Sequence, residues 1–230
     1  MDIADKIAKL SDELREESHS TKAIDILKSF AEQQKNTAGV DKILGQFENI
    51  LQPPVEFEVM LANRLCLESD EFDFLQGDII RTESAYYIGE RVVNSPTFII
   101  GTSACDLVKD RRECITLFRV EPILAPRNDD EEKIIKQLLS NNFKFKSTTS
   151  MILPKFPYQD EDVIYNIIEL SRPHSITSQN LRLAHRVYSL TSLGWRIFGA
   201  VYRFITSRQD PRDEIFRNNL EIIEKIEDSA

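Results

Sequence analysis

A chain of 230 residues with 41% hydrophobic and 29% charged residues has the composition of a soluble globular protein with a sizeable core, not of a disordered tract. Its formal net charge of −9 argues against a protein wrapped in nucleic acid, while leaving room for a local basic patch. Three cysteines (Cys66, Cys105 and Cys114), no apolar leader and no apolar run of membrane-spanning length lead to the expectation of a reduced, cytoplasmic protein with no membrane contact.

The first fifty residues carry helical spacing. Ile3, Ile7, Leu10 and Leu14 share one face, as do Ala23, Leu27, Phe30 and Ala31. Val40, Ile43, Leu44, Phe47 and Leu51 form a third stripe, which Pro53-Pro54 stops. A helical region over 1–52 is expected, with Gln52-Pro53-Pro54 as its linker.

After Pro54 the period changes to two. Val55, Phe57, Val59 and Leu61 alternate with polar or intervening residues, and short apolar runs follow at 78–82, 97–100, 114–123, 150–153 and 163–170. Successive short strands predict a mostly antiparallel β-barrel-like domain over 54–171. Asn128, followed by four acids and IIKQLL, reads as the cap and first turn of a helical insertion near 129–141. Residues 172–230 read as a C-terminal helical region packed on the barrel. Within it TSLGWRIFGAVYRFITSR (191–208) is strongly apolar, and Asp210-Pro211 opens a last helix. The expected fold class is α+β.

Gly-rich phosphate loops, HExxH, paired CxxC and the EF-hand pattern are absent from the sequence. No metal and no cofactor is expected. Gly101-Thr102-Ser103-Ala104-Cys105 follows a strand in the manner of a nucleophile elbow, but Cys105 stands where that turn needs its second glycine. Ser103 and Asp106 are expected to cap a turn through backbone amides, and Cys105 to fill the core at a strand end. Thiolate chemistry at Cys105 would need a base from His19, His174 or His185, all distant in sequence. A zinc site from the three cysteines and a histidine lacks ligand spacing.

Gly77-Asp78-Ile79-Ile80, followed by Pro96-Thr97-Phe98-Ile99-Ile100, resembles the opening of the MazF/PemK family of toxin endoribonucleases over about residues 77–123. The resemblance implies a small SH3-like antiparallel barrel, usually dimeric, that cleaves single-stranded RNA without a metal in a toxin–antitoxin or defence setting. In that family an arginine commonly precedes the proline. Here Ser95 occupies the position, and Arg91 is the nearby substitute. Arg91, Ser103 and Asp106 are therefore the candidates near the scissile phosphate, with general acid–base action and phosphate stabilisation as the mechanism, and Cys105 is a separate catalytic candidate for thiol chemistry.

The charge distribution points elsewhere. From Arg172 to Gln209 there are six arginines (Arg172, Arg182, Arg186, Arg196, Arg203 and Arg208) and no lysine, aspartate or glutamate, so a segment of +6 leaves −15 on the rest of a −9 chain. Arginine binds phosphate and carboxylate through a planar two-point fork. On a helix over 191–207, Ser192, Arg196, Gly199, Arg203 and Ser207 form one strip, and Leu193, Ile197, Val201 and Phe204 form another beside Trp195, Phe198 and Tyr202. Pairing with the chain's own acids would satisfy these arginines. So would an acidic protein partner, or single-stranded nucleic acid stacked on Trp195, Tyr188 or Tyr202. The leading expectation is a non-catalytic binding module acting through Arg182, Arg186, Arg196, Arg203, Arg208 and Trp195; the alternative is the metal-independent endoribonuclease.

Overall fold

A computed structural model describes residues 2–17, 20, 22–34, 36–56, 59, 74–93, 97–108, 111–146 and 149–206. The expected strand near 55–61, Cys66, His19, Arg208 and the helix expected after Pro211 fall wholly or largely outside these residues. The class is α+β, as the changing periodicity predicts.

The N-terminal stripes form helices α1 (Ile3–Glu16), α2 (Ala23–Gln33) and α3 (Thr37–Leu44). Asp2 and Asp5 close a reciprocal capping box on α1, and Asn36 accepts the Gly39 amide at 2.8 Å to start α3. The third stripe does not continue as one helix. A side chain at Gly45 would collide with Asp41, so the chain turns there, forms the short α4 (Phe47–Ile50), and enters the sheet as β1 (Leu51–Gln52).

The other strands are β2 (Ile79–Arg81), β3 (Tyr86–Tyr87), β4 (Glu90–Arg91), β5 (Thr97–Ile100), β6 (Cys114–Leu124), β7 (Ser150–Pro154), β8 (Val163–Thr177) and β9 (His185–Leu190). All pair antiparallel in the order β1-β9-β2-β5-β6-β8-β3-β4, with β7 on β8. Among the described residues no pairing joins β1 to β4, so the expected SH3-like ring is not closed by hydrogen bonds; the sheet is open.

Ile79-Ile80 and Phe98-Ile99-Ile100 are consecutive apolar residues because both faces of these strands are buried. Ile79 and Ile99 point to one core, and Ile80, Phe98 and Ile100 to the other. The larger core lies under α1–α4 and the helix Ser192–Thr206; the smaller gathers Phe74, Ala85, Leu107, Ile115, Leu117, Ile176 and Leu181. The insertion is helix α5 (Asp129–Phe143), with Asn128 accepting the Glu131 amide at 2.9 Å.

Two corrections follow. Residues 172–190 were expected to be helical but are largely strand: β8 runs on to Thr177, a single turn α6 (Ser178–Leu181) intervenes, and β9 follows. The period of two was present, since His174 and Ile176 are buried while Pro173 and Ser175 are exposed. The hairpin β3–β4 was not anticipated. Its turn holds Ile88 and Gly89 at φ +49° and +83°, the conformation of a tight two-residue hairpin. Helix α7 (Ser192–Thr206) forms where the apolar run 191–208 predicts it.

Candidate functional site: a groove along helix α7

Helix α7 is fixed at its start by backbone contacts. Thr191 Oγ1 accepts the Gly194 amide at 3.1 Å and donates to the Asn49 carbonyl at 2.6 Å, and the Thr191 amide donates to the Ile50 carbonyl at 2.9 Å. Gly194 lets the helix press on α4, because a Cβ there would stand 2.3 Å from the Ile50 oxygen. Leu193, Ile197, Phe198, Ala200 and Val201 are buried beneath it. With this face down, Arg196, Gly199 and Arg203 run along the opposite side, as the helical strip predicts, and Trp195, expected beside the apolar strip, stands exposed with them.

That strip walls a concavity of about 340 Å³ together with Tyr202, Thr206, Gln76 and Ser103. Above Gly199 the space is open among the described residues: an added Cβ would meet none of them within 4 Å. A second concavity, about 540 Å³, lies beside the first and shares Gln76, Ser103, Trp195 and Arg196 with it. The rest of its wall is apolar at Val55, Val59, Leu75, Ala104 and Leu190 and polar at Gln52, Thr191 and Ser192.

Gln76 holds the shared wall. Gly77 takes φ +88° and donates its amide to the Ile100 carbonyl at 2.8 Å, which turns the chain so that Gln76 faces α7. The Gln76 amide group donates to the Gly101 carbonyl at 2.7 Å, and its oxygen accepts the Trp195 indole N–H at 3.1 Å. Trp195 is thereby oriented while 40% of its surface stays exposed.

Arg196 is half-buried and donates to Ser11 Oγ at 2.7 Å. Among the described residues no carboxylate lies within ion-pair distance of it. Arg203, also half-buried, lines the same concavity, and Arg172 and Arg182 are exposed on the strand and turn before β9.

Arg186 departs from the expected outward set. Its guanidinium points inward to Asp78 at 3.3 Å and to the Val55 carbonyl at 2.7 Å. Asp78 is fully buried and also accepts from Ser189 Oγ at 2.6 Å and the Leu75 amide at 2.8 Å. Burial pushes the Asp78 carboxyl above the ordinary aspartate value; these hydrogen bonds and the Arg186 charge pull it back. The Gly-Asp pair thus anchors β2 to β9. Tyr188 stacks on Tyr158 with ring centres 6.0 Å apart, and the Arg81 guanidinium sits 4.1 Å over the Tyr158 ring, so both tyrosines are already engaged.

The Ser103 lip is brought to the rim of both concavities. Ser103 Oγ donates to Asp106 Oδ2 at 3.1 Å, and Arg112 holds the same oxygen at 3.0 Å. The expected caps through backbone amides are replaced by this side-chain pair. Cys105 is exposed rather than buried, because Ala104–Asp106 form a one-turn 3-10 helix that turns it to solvent, with Sγ 3.1 Å from Ser103 Oγ. Among the described residues no histidine bonds to Ser103 or Cys105, and no three His, Cys, Asp or Glu side chains converge as a metal set. His174 is buried against Phe98 and Tyr87, its Nδ1 donating to the Arg172 carbonyl at 2.9 Å; burial lowers its pKa. His185 is exposed on β9.

Arg91 is not gathered with the lip. It lies on β4, separated from β5 by β6, β8 and β3 in the sheet, and its guanidinium is taken by the Glu83 carbonyl at 2.6 Å and carboxylate at 3.5 Å.

No family model, curated protein or solved structure matches this chain. Among the described residues no helix is long and apolar enough to cross a membrane. Gln76 was the functional residue missed by spacing arguments; its one sequence signal is that it precedes the Gly77-Asp78 turn.

Proposed function

We propose that this chain is a binding module that engages an anionic partner, protein or single-stranded nucleic acid, through the groove on α7. The observation that carries the reading is Arg196: a half-buried guanidinium without a carboxylate beside it among the described residues, next to an exposed indole, in a chain of net charge −9. Arginine retains donors for a planar acid or phosphate after bonding Ser11, and Trp195 supplies a rigid apolar surface. Gly199 leaves room for the partner's backbone. The exposed thiols of Cys105 and Cys114 suit a reducing compartment, and we place the protein in the cytoplasm.

The experiment is binding of candidate anionic partners by Arg196→Ala/Arg203→Ala, with folding monitored by circular dichroism. A folded double variant that loses binding supports the reading; a folded double variant that binds as wild type removes it.

A second reading follows the MazF/PemK-like resemblance: a metal-independent endoribonuclease built on an SH3-like barrel, dimeric as that family usually is. The observation favouring it is Ser103, which with Asp106 and Arg112 stands at the rim of the groove where a phosphate held by Arg196 would lie. Single-stranded RNA incubated with micromolar protein in EDTA should then be cut, and Ser103→Ala should cut less. Intact RNA overturns this reading alone.

A further inference from the structure

The two concavities differ in chemistry although they share a wall. The cationic one holds Arg196, Arg203 and the open space over Gly199. The larger one is walled mainly by apolar side chains, and its polar groups are mostly committed elsewhere. Gln52 Nε2 donates to the Leu190 carbonyl at 3.0 Å, Gln76 is bonded at both ends, Ser103 donates to Asp106, and Thr191 bonds Asn49 and Gly194.

A nucleobase placed there would lose its edge hydrogen bonds to water and find few replacements. An aliphatic or aromatic side chain loses nothing comparable, and about 540 Å³ accommodates even a bulky one with its flanking backbone. The whole-molecule charge of −9 also repels a polyanion more than a short peptide with one or two acids.

We infer that the groove takes an acidic peptide segment carrying one bulky apolar side chain. The apolar group seats among Val55, Leu75 and Leu190, and a neighbouring carboxylate forks onto Arg196. This inference rests on the groove reading above and narrows the partner to protein. The geometry is that of an apolar anchor beside a charged clamp, the arrangement in which a few residues carry most of a peptide's affinity.

The chain's single tryptophan is Trp195, so its fluorescence reports this wall and nothing else. A phage-displayed library of random dodecapeptides is selected on the wild-type chain. Tryptophan-free winners are synthesised and titrated against Trp195 fluorescence, with an oligouridylate in parallel. The expected winners pair an acid with Phe, Leu or Ile. Arg196→Ala should weaken them by about tenfold or more, the loss of one charge-assisted contact. Ala104→Phe, which fills the larger concavity, should abolish binding; circular dichroism checks that both variants fold. Winners lacking the acid–apolar pair, or winners indifferent to both substitutions, overturn the inference. Oligouridylate bound through Arg196 with no peptide selected overturns it while leaving the groove reading in place. No ligand of either kind that depends on Arg196 overturns both.

Discussion

Trp195 on α7 and Gln76 in the loop before β2 are joined by a 3.1 Å hydrogen bond across 119 positions of sequence. Gln76 in turn donates to the Gly101 carbonyl at 2.7 Å, so one side chain ties helix α7 to the ends of two strands. Gln76→Ala breaks both bonds at once. We expect it to cost about 1–2 kcal/mol of stability and to shift Trp195 emission to the red as the indole N–H turns to water. Urea unfolding followed by fluorescence measures both; an unchanged emission maximum would show that Gln76 does not hold the indole.

The two glycines of α7, Gly194 and Gly199, should respond in opposite ways. Gly194→Ala places a methyl 2.3 Å from the Ile50 carbonyl oxygen, a backbone atom that cannot step aside, and should destabilise by roughly 2 kcal/mol or more. Gly199→Ala meets none of the described residues within 4 Å and gains helix propensity, up to about 1 kcal/mol of stabilisation. Gly199→Leu should leave stability near that of wild type while weakening partner binding, because it fills the groove. Melting temperatures of the three variants order the prediction.

The buried Asp78–Arg186 pair gives a graded series. Asp78→Ala leaves a largely buried guanidinium, the Leu75 amide and the Ser189 hydroxyl without their acceptor, and should cost about 3–5 kcal/mol. Asp78→Asn keeps an oxygen in place and should cost less. If Asp78→Ala unfolds in urea within 1 kcal/mol of wild type on the scale of that estimate, the pair is not the anchor of β2 on β9.

His174 sets a pH dependence. Burial holds its pKa below the ordinary value of 6.5, so on acidification the unfolded chain takes up this proton first. The stability it contributes is fully present above 6.5 and is lost as pH falls through the lower folded-state value. His174→Phe keeps the ring against Phe98 and Tyr87 and has no proton to take up. Urea midpoints measured on the acid side of neutrality should fall more steeply for wild type than for the variant. Parallel slopes would contradict the assignment.

The helices and most strands were legible because their apolar periods are strong: Leu10 and Leu14, Ala23 and Leu27, and the Phe98-Ile99-Ile100 run all bury where the sequence reading places them. Strand β9 was obscured by its sequence, HRVYSL, in which the half-buried Arg186 and Tyr188 serve Asp78 and a tyrosine stack instead of following a clean alternation. The arginine segment was visible as a composition, but its division was not. Arg186 turns inward because the direct pairing of β2 with β9 brings Asp78 within 3.3 Å of it across 108 positions of sequence, which no local pattern records. The exposed side of α7 was readable from 3.6-residue spacing. The opposite wall, Gln76 and Ser103, comes from loops whose position depends on the whole sheet.

The most direct measurement of the central claim is collisional quenching of Trp195 by iodide and by caesium at low ionic strength. A chain of net charge −9 attracts caesium and repels iodide on average, so a local cationic groove must invert that order. The account predicts that iodide quenches Trp195 more strongly than caesium in the wild type, and that Arg196→Ala/Arg203→Ala reverses the preference. Caesium quenching the wild-type indole as well as iodide, or better, would contradict it.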